Sequence, residues 1–148
     1  MGYVDRNLLN NEQVLYRAHL SRIVFVFPIF LFLVAASLFY PGGAAAVVGA
    51  VLAVAALAYL VKAFIDYKTS EFVVTNRRVV LKVGLIRRTS VEIVLNKVES
   101  IIVDQTIVGR VFNFGSIAVV GTGGTKDPFH RISAPLQFRR AVQEQLAG

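Results

Sequence analysis

Residues 23–61 read IVFVFPIFLFLVAASLFYPGGAAAVVGAVLAVAALAYLV and contain no Asp, Glu, Lys, Arg or His. As one straight helix, these 39 residues would measure roughly 58 Å, almost twice a hydrocarbon core of about 30 Å. Pro41, Gly42 and Gly43 lie in the middle, where proline ends a helix and glycine permits the chain to reverse. The stretch therefore predicts two transmembrane helices, at 23–40 and 44–61, joined in a tight hairpin.

Basic residues flank this apolar stretch at both outer ends. Arg22 precedes it and Lys62 follows it, whereas the turn at 41–43 has no charge. Because Lys and Arg are retained on the cytoplasmic side of a membrane, both termini are expected in the cytoplasm. Residues 1–22 then form a cytoplasmic juxtamembrane segment, whose alternating positions 14–20 leave open a short strand or the first turns of a helix.

A signal peptide or a buried helix pair would fit the apolar stretch less well. A cleaved signal peptide has one shorter apolar region followed by a soluble chain, whereas here a second apolar span follows at once. A buried helix pair in a soluble fold would need two adjacent charge-free spans longer than ordinary core helices.

The second predicted helix is rich in small side chains. Gly49, Ala50 and Ala53 lie in its middle, among several further alanines. Small residues let helix backbones approach closely in a membrane. We therefore expect these positions to pack helices together, either within the hairpin or between copies in a homo-oligomer.

The composition of the whole chain limits the possible chemistry. The 148-residue chain has 16 Lys and Arg against 9 Asp and Glu, a net charge of +7, and no cysteine. The charge favours an anionic partner, and the apolar stretch favours lipid over nucleic acid. The absence of cysteine excludes disulfides and thiolate metal sites, and His19 and His130 are far apart in sequence. We expect no metal and no cofactor.

After Lys62 the pattern changes to short strands of period two. A terminal helix follows, since Pro135 suits the first helical position and Phe138, Val142 and Leu146 recur every four residues. The sequence thus predicts a cytoplasmic domain at 67–148. Its predicted strands are 71–75, 78–82, 85–89, 91–95, 100–103, 116–120 and 129–132, with turns at 76–77, 83–84 and 121–124 and a short helix within 106–115.

Several short motifs make a resemblance visible. They are EFVVTNRR at 71–78, GLIRR at 84–88, DQT at 104–106 and NFGS at 113–116, after two apolar helices. In order and spacing the chain resembles the bacterial pleckstrin-homology-like membrane proteins. The resemblance implies an α+β protein of the bacterial inner membrane, with a PH-like antiparallel β-sandwich or barrel of about seven strands capped by a C-terminal helix. It supplies no catalytic residue, and the basic pattern of phosphoinositide-binding relatives is not met.

The best candidate for a functional surface is a basic patch. If 83–84 is a two-residue turn, Val80 faces Arg87 and Arg78 faces Thr89, which puts Arg78, Lys82 and Arg87 on one side of the hairpin. Arg77 and Arg88 lie close by in sequence. Each basic residue near an anionic leaflet contributes about 1 kcal/mol. This patch would face lipid, although an ordinary solvated face would have the same composition.

Other groups give weaker indications of chemistry. The sequence GTGGTK at 121–126 lacks the spacing and the Gly-Lys-Ser/Thr ending of a phosphate-binding loop, so it predicts a plain turn. Glu92, Glu99 and Asp104 could act as acid or base groups, but nothing in the sequence pairs them with each other or with a nucleophile. We therefore expect no enzyme activity.

These observations favour a non-catalytic, membrane-anchored PH-like adaptor or scaffold. Its cytoplasmic domain would bind a protein partner or copies of itself, with the basic patch on anionic lipid. One alternative is a lipid sensor whose ligand is the head group. Another is an accessory subunit of a membrane transporter or enzyme, with a membrane protein as its partner.

Overall fold

A computed structural model describes residues 2–85, 87–125 and 128–148 of the chain. The chain forms two compact units, one of Arg22–Lys68 and one of Met1–Ser21 together with Thr69–Gly148. The first twenty-one residues are thus part of the β domain. This corrects the predicted division into a juxtamembrane segment at 1–22 and a domain at 67–148.

The helical unit begins with a 3-10 turn at Arg22–Phe25, followed by helix α2 at Val26–Ser37 and helix α3, which starts at Gly43 and ends at Thr69. The chain reverses between the two helices, where Gly42 and Gly43 have φ angles of 73° and 59°. These left-handed values favour glycine, which has no Cβ to clash.

The helices α2 and α3 pack against each other in antiparallel directions. The rings of Phe27 and Tyr59 meet edge to face, 5.5 Å apart. Near the other end, a Cβ added to Gly49 would lie 2.9 Å from the carbonyl oxygen of Ala35. Gly49 therefore has no room for a side chain, and it sets the close approach of α2 and α3.

Helix α3 is the one helix in the described part of the chain that is long and apolar enough to cross a membrane. It has 27 residues, its most apolar 18-residue stretch has a mean hydropathy of 2.5, and most of its apolar surface is exposed. The apolar helix at Arg22–Ser37 is, by itself, shorter than a typical membrane span. It ends before the predicted boundary at Tyr40, because Leu38 and Phe39 already form the closing turn. The structure thus does not support two helices of spanning length.

The first sheet of the β domain has the strand order β1-β2-β3-β4 and is antiparallel throughout. The segment 14–20, for which the sequence left strand and helix open, provides its first strand and pairs with the strand that follows the helical unit. The strands are β1 at Val14–Ala18, β2 at Glu71–Thr75, β3 at Arg78–Val83 and β4 at Thr89–Val94.

The second sheet is also antiparallel, with β6 pairing with β5, β7 and β8. A 3-10 turn at Leu95–Lys97 leads into it from β4, and an isolated antiparallel bridge pairs Leu20, two residues after β1, with Ile132. Its strands are β5 at Val98–Asp104, β6 at Phe114–Gly121, β7 at Gly124–Thr125 and β8 at Phe129–Ser133. Helix α4 at Ile107–Phe112 connects β5 to β6.

The C-terminal helix α5, at Pro135–Ala147, closes the core. Phe138 and Val142 are fully buried, whereas Leu146, one turn further, is 40% exposed. Phe138 packs edge to face on Tyr16 of β1, and Phe72 of β2 packs on Phe129 of β8. The predicted α+β architecture of antiparallel sheets with a C-terminal helix is confirmed.

The hairpin of β3 and β4 has a different register from the predicted one. Val83 pairs with Thr89, so the connection between β3 and β4 is longer than the predicted two-residue turn. Gly84 has a φ of 83°, and a Cβ there would lie 2.5 Å from the carbonyl oxygen of Arg87. The wider loop ends β3 at Val83, so the predicted strand at 85–89 is wrong for Leu85, Arg87 and Arg88, whereas Thr89 begins β4. Ile86 lies outside the described residues.

Candidate functional site

The outer face of the first sheet is covered by the N-terminal segment. Helix α1, at Tyr3–Arg6, places the buried Val4 on Val73 of β2 and Val80 of β3. The carboxylate of Glu71 holds the start of this helix, because its two oxygens accept the N–H groups of Tyr3 and Val4 at 2.8 and 3.1 Å. A small second core thus lies on the face that the sequence assigned to lipid.

Arg78 lies within this covered region and is held by carboxylates on two sides. Its Nε donates to Glu12 at 2.9 Å, and one of its terminal nitrogens donates to Glu92 at 2.6 Å. The other terminal nitrogen donates to the carbonyl of Asn7 at 2.7 Å. The Arg78 side chain is 15% exposed and that of Glu12 is fully buried. Arg78 therefore joins the N-terminal segment to β3 and β4.

The electrostatics of this cluster favour the charged forms. Burial by itself raises the pKa of Glu12. Hydrogen bonds from the N–H of Leu9 and from the side chains of Arg78 and Thr75 outweigh burial and hold that pKa below its ordinary value. The hydrogen bond to Glu12 raises the pKa of Arg78. Both groups stay ionised, so the cluster is a closed ion pair within the fold.

Lys82 is also buried, with 8% of its surface exposed. Its ammonium group lies 4.5 Å from the centre of the Tyr3 ring, a cation–π contact under α1. Asp5 in the same helix accepts a hydrogen bond from Arg17 of β1 at 2.6 Å, which lowers the pKa of Asp5. Lys82 is therefore a structural residue, inaccessible to lipid.

The predicted basic patch is thus divided. Arg78 and Lys82 are covered, whereas Arg77, Arg87 and Arg88 are exposed. The shared face of Arg78, Lys82 and Arg87 was inferred from the two-residue turn, so the longer loop removes it. The prediction from the sequence also missed the segment before the apolar stretch, which covers this side of the sheet.

The exposed arginines lie at opposite ends of the first sheet. Glu71, Lys82 and Ser90 are neighbours at one end, where the chain returns from the apolar helices and where the loop of Leu85, Arg87 and Arg88 begins. Arg77 lies in the turn at the other end. Six residues of β3 separate the two ends, a distance of about 20 Å.

Helix α4 carries an exposed apolar surface that the sequence did not single out. Ile107, Val108, Val111 and Phe112 are each more than half exposed. Gly109 is the residue that faces the domain, since a Cβ there would lie 2.5 Å from the carbonyl oxygen of Phe114. The sequence did contain a signal for this arrangement, because Gly109 is the only small residue of this helix. A lone glycine among larger side chains marks the side on which a helix lies close to its neighbour.

The three small residues of α3 have different environments. Gly49 is buried against α2, Ala53 is half-buried and Ala50 is exposed. Gly49 therefore packs within the helical unit. Packing between copies stays a prediction for Ala50 and Ala53.

The remaining polar groups show no assembled centre. Within residues 2–85, 87–125 and 128–148, no three His, Asp or Glu side chains are grouped as metal ligands. Glu92 is paired with Arg78, and Glu99 and Asp104 are exposed on β5. Lys126, in the glycine-rich turn, lies outside the described residues.

Two antiparallel sheets closed by a C-terminal helix, interrupted after β1 by an apolar helical unit, define an α+β domain with a helical insertion. The family model described as "Bacterial PH domain" matches residues 23–146, which include the helical unit and every strand after β1. The chain therefore belongs to the bacterial PH domain family. No curated protein and no solved structure matches the chain.

Proposed function

We propose that this protein is a non-catalytic binding module, anchored by its helical unit at the cytoplasmic face of the bacterial inner membrane. It binds other proteins or copies of itself there. The observation that carries the membrane part of this proposal is the pairing of β1 with β2 across the apolar segment.

Strand pairing restricts how the helical unit can cross a membrane. β1 precedes this unit, β2 follows it, and hydrogen-bonded strands lie on the same side of a bilayer. A single crossing by α3 would separate them. Because α3 has the length and hydropathy of a span, α2 must then return the chain across the membrane, as in the hairpin predicted from the sequence.

The shorter helix is compatible with this crossing. The 3-10 turn and α2 together, from Arg22 to Ser37, rise about 26 Å. The next three residues, Leu38, Phe39 and Tyr40, are apolar or aromatic, so they can complete the remaining few ångströms of a core of about 30 Å. Tyr40, 98% exposed, suits the far interface.

Charge supports the cytoplasmic orientation of the β domain. Arg22, Lys62 and Lys68 lie at the ends of the helical unit that adjoin the domain, whereas residues 38–43 have no charge. Positive residues are retained on the cytoplasmic side. Both termini are then cytoplasmic.

A labelling experiment tests this topology, and the cysteine-free chain makes it simple. Tyr40→Cys and Thr122→Cys place single thiols at two exposed positions, one between the helices and one in the β domain. An impermeant thiol reagent on intact cells should label position 40 only, and position 122 only after lysis. Labelling of position 122 in intact cells would show that the orientation is the opposite of the proposed one. Full extraction of the protein by alkaline carbonate would refute the membrane anchor.

The surface that supports protein binding is α4. Its four exposed apolar side chains form a patch larger than scattered surface residues would give. Membrane anchoring confines copies to two dimensions and raises their effective concentration, so a second copy is the partner that we propose.

Self-association in mild detergent or nanodiscs tests this surface. Ile107→Ser with Val111→Ser should weaken the oligomer without lowering stability, because both side chains are exposed. Ala50→Leu and Ala53→Leu test the alternative contact through α3. A monomeric wild type would refute self-association. Reproducible co-purification of one heterologous partner would favour the accessory-subunit alternative. A monomeric protein that binds one particular lipid head group would favour the lipid-sensor alternative.

A further inference from the structure

The loop between β3 and β4 combines positive charge with an exposed apolar side chain. Arg87 and Arg88 are exposed, and Leu85 is 52% exposed. In the part of the chain that the structure describes, neither arginine forms an ion pair. Their charge is therefore open to an external partner.

The position of this loop follows from the strand register. Helix α3 ends at Thr69, and β2 begins at Glu71, after one intervening residue. Glu71 pairs with Lys82, and Lys82 pairs with Ser90. Because neighbouring strands lie about 4.8 Å apart, the ends of β3 and β4 lie about 5 and 10 Å from the strand that continues the anchor. The loop that joins them starts at this same end.

The length of α3 brings this end close to the head groups. Its charge-free part, residues 43–61, rises about 28 Å, close to the thickness of a hydrocarbon core. The remaining eight residues, Lys62 to Thr69, rise about 12 Å. Head groups occupy about 5–8 Å on each side. The chain therefore enters the sheet, at the start of β2, about one Debye length, about 8 Å, from their outer boundary.

From this arrangement we infer that Leu85, Arg87 and Arg88 form a contact site for anionic lipid head groups. The inference rests on the proposed membrane anchor and identifies the lipid-facing part of the domain. Guanidinium groups bind phosphate oxygens in a bidentate manner, and a leucine beside them can enter the interface. Arg77, about 20 Å away at the other end of β3, is too distant to take part.

The experiment uses the full chain reconstituted in vesicles of phosphatidylcholine, with or without phosphatidylglycerol. A single thiol is placed at Leu85→Cys or at Arg77→Cys and labelled with an environment-sensitive fluorophore, and lipids with a nitroxide on the head group quench it. Carbonate resistance of each sample is measured in parallel, so that failure of the anchor is seen separately.

We expect stronger quenching at position 85 than at position 77, an increase with phosphatidylglycerol, and a decrease with salt. Arg87→Ala and Arg88→Ala should each weaken the contact about fivefold, since each arginine acts independently on the anionic surface. Equal quenching at both positions in a carbonate-resistant sample would overturn the contact site and leave the anchor standing. The contact site would also be overturned if quenching at position 85 changed neither with salt nor in the Arg87→Ala and Arg88→Ala variants. Extraction by carbonate would refute the anchor itself.

Discussion

Arg77-Arg78 and Arg87-Arg88 are the same dipeptide at the two ends of one hairpin, yet the fold uses them differently. Arg78 is almost enclosed, with Glu12, Glu92 and the carbonyl of Asn7 as partners. Arg87 and Arg88 are exposed in a loop. The contrast shows that a basic residue on a strand is not by itself a surface residue. Whether its side chain is exposed depends on which segments of the chain cover that strand.

The covering segment comes from the far side of the helical unit. Glu12 and Arg78 are 66 residues apart in the sequence, with both apolar helices between them. The β domain is therefore discontinuous, and any fragment that begins after the helices lacks β1, α1 and Glu12. The fold of the domain therefore depends on segments from both sides of the insertion.

The largest expected effect is on the enclosed arginine. Arg78→Ala should reduce the free energy of unfolding by about 3 kcal/mol, because it leaves the buried Glu12 carboxylate without its cation. Thermal or denaturant unfolding of the full chain in detergent, followed by circular dichroism, measures this. Arg77→Ala is the matched control and should change stability by less than about 0.5 kcal/mol. Equal losses from the two variants would contradict the contrast between them.

The same cluster predicts sensitivity to acid. The hydrogen bond from Arg17 lowers the pKa of Asp5, and the network around Glu12 lowers its pKa despite burial. The unfolded chain then takes up protons at a higher pH than the folded chain. The stabilisation is complete above the ordinary values of 3.8 for Asp5 and 4.5 for Glu12, and it is lost as pH falls below them towards the lowered values.

Unfolding midpoints measured from neutral pH down to about pH 3 test this direction. Glu12→Gln should reduce stability at neutral pH and also flatten its fall in acid, since one of the titrating carboxylates is gone. Glu99→Gln, on the exposed side of β5, is the matched control. A variant Glu12→Gln with an unchanged acid slope would show that the fall arises elsewhere.

A smaller effect is expected at Lys82. Its contact with the Tyr3 ring is partly desolvated, so we expect a coupling energy of about 1 kcal/mol. A double-mutant cycle of Tyr3→Leu and Lys82→Met measures it, because Met keeps most of the buried stem while removing the charge. Additive losses would mean that Lys82 contributes only through packing.

Features set by neighbouring residues could be predicted from the sequence. The two-residue turn at Asn76-Arg77 and the helix that starts at Pro135 are confirmed, because turn chemistry and apolar spacing are local signals. The longer loop after Val83 could not be predicted in this way. Gly84 fits several turn lengths, and the packing of the whole sheet fixes the register.

The candidate site depended on contacts that sequence spacing does not show. Burial of Lys82 requires Tyr3, and burial of Arg78 requires Glu12, both on the other side of the apolar stretch. The alternation of residues 14–20 fitted either a strand or a helix, so the N-terminal segment could not be assigned to the sheet. Gly49 was correctly singled out as a packing residue, but its partner proved to be α2 of the same chain.

The smallest expected effect concerns the exposed pair itself. Arg87→Ala and Arg88→Ala should each change the free energy of unfolding by less than about 0.5 kcal/mol, because exposed charges contribute little to stability. The same unfolding measurement, made in neutral detergent where no anionic lipid is present, isolates the fold from any lipid contact. Gly84→Ala in the same loop is the contrasting variant. Its φ of 83° and the nearby Arg87 carbonyl make an added Cβ strained, so it should destabilise the protein where the arginine variants do not. A loss of stability above about 1 kcal/mol in the Arg87→Ala or Arg88→Ala variant would mean that these side chains hold the loop in place. Both dipeptides would then contain arginines that stabilise the fold.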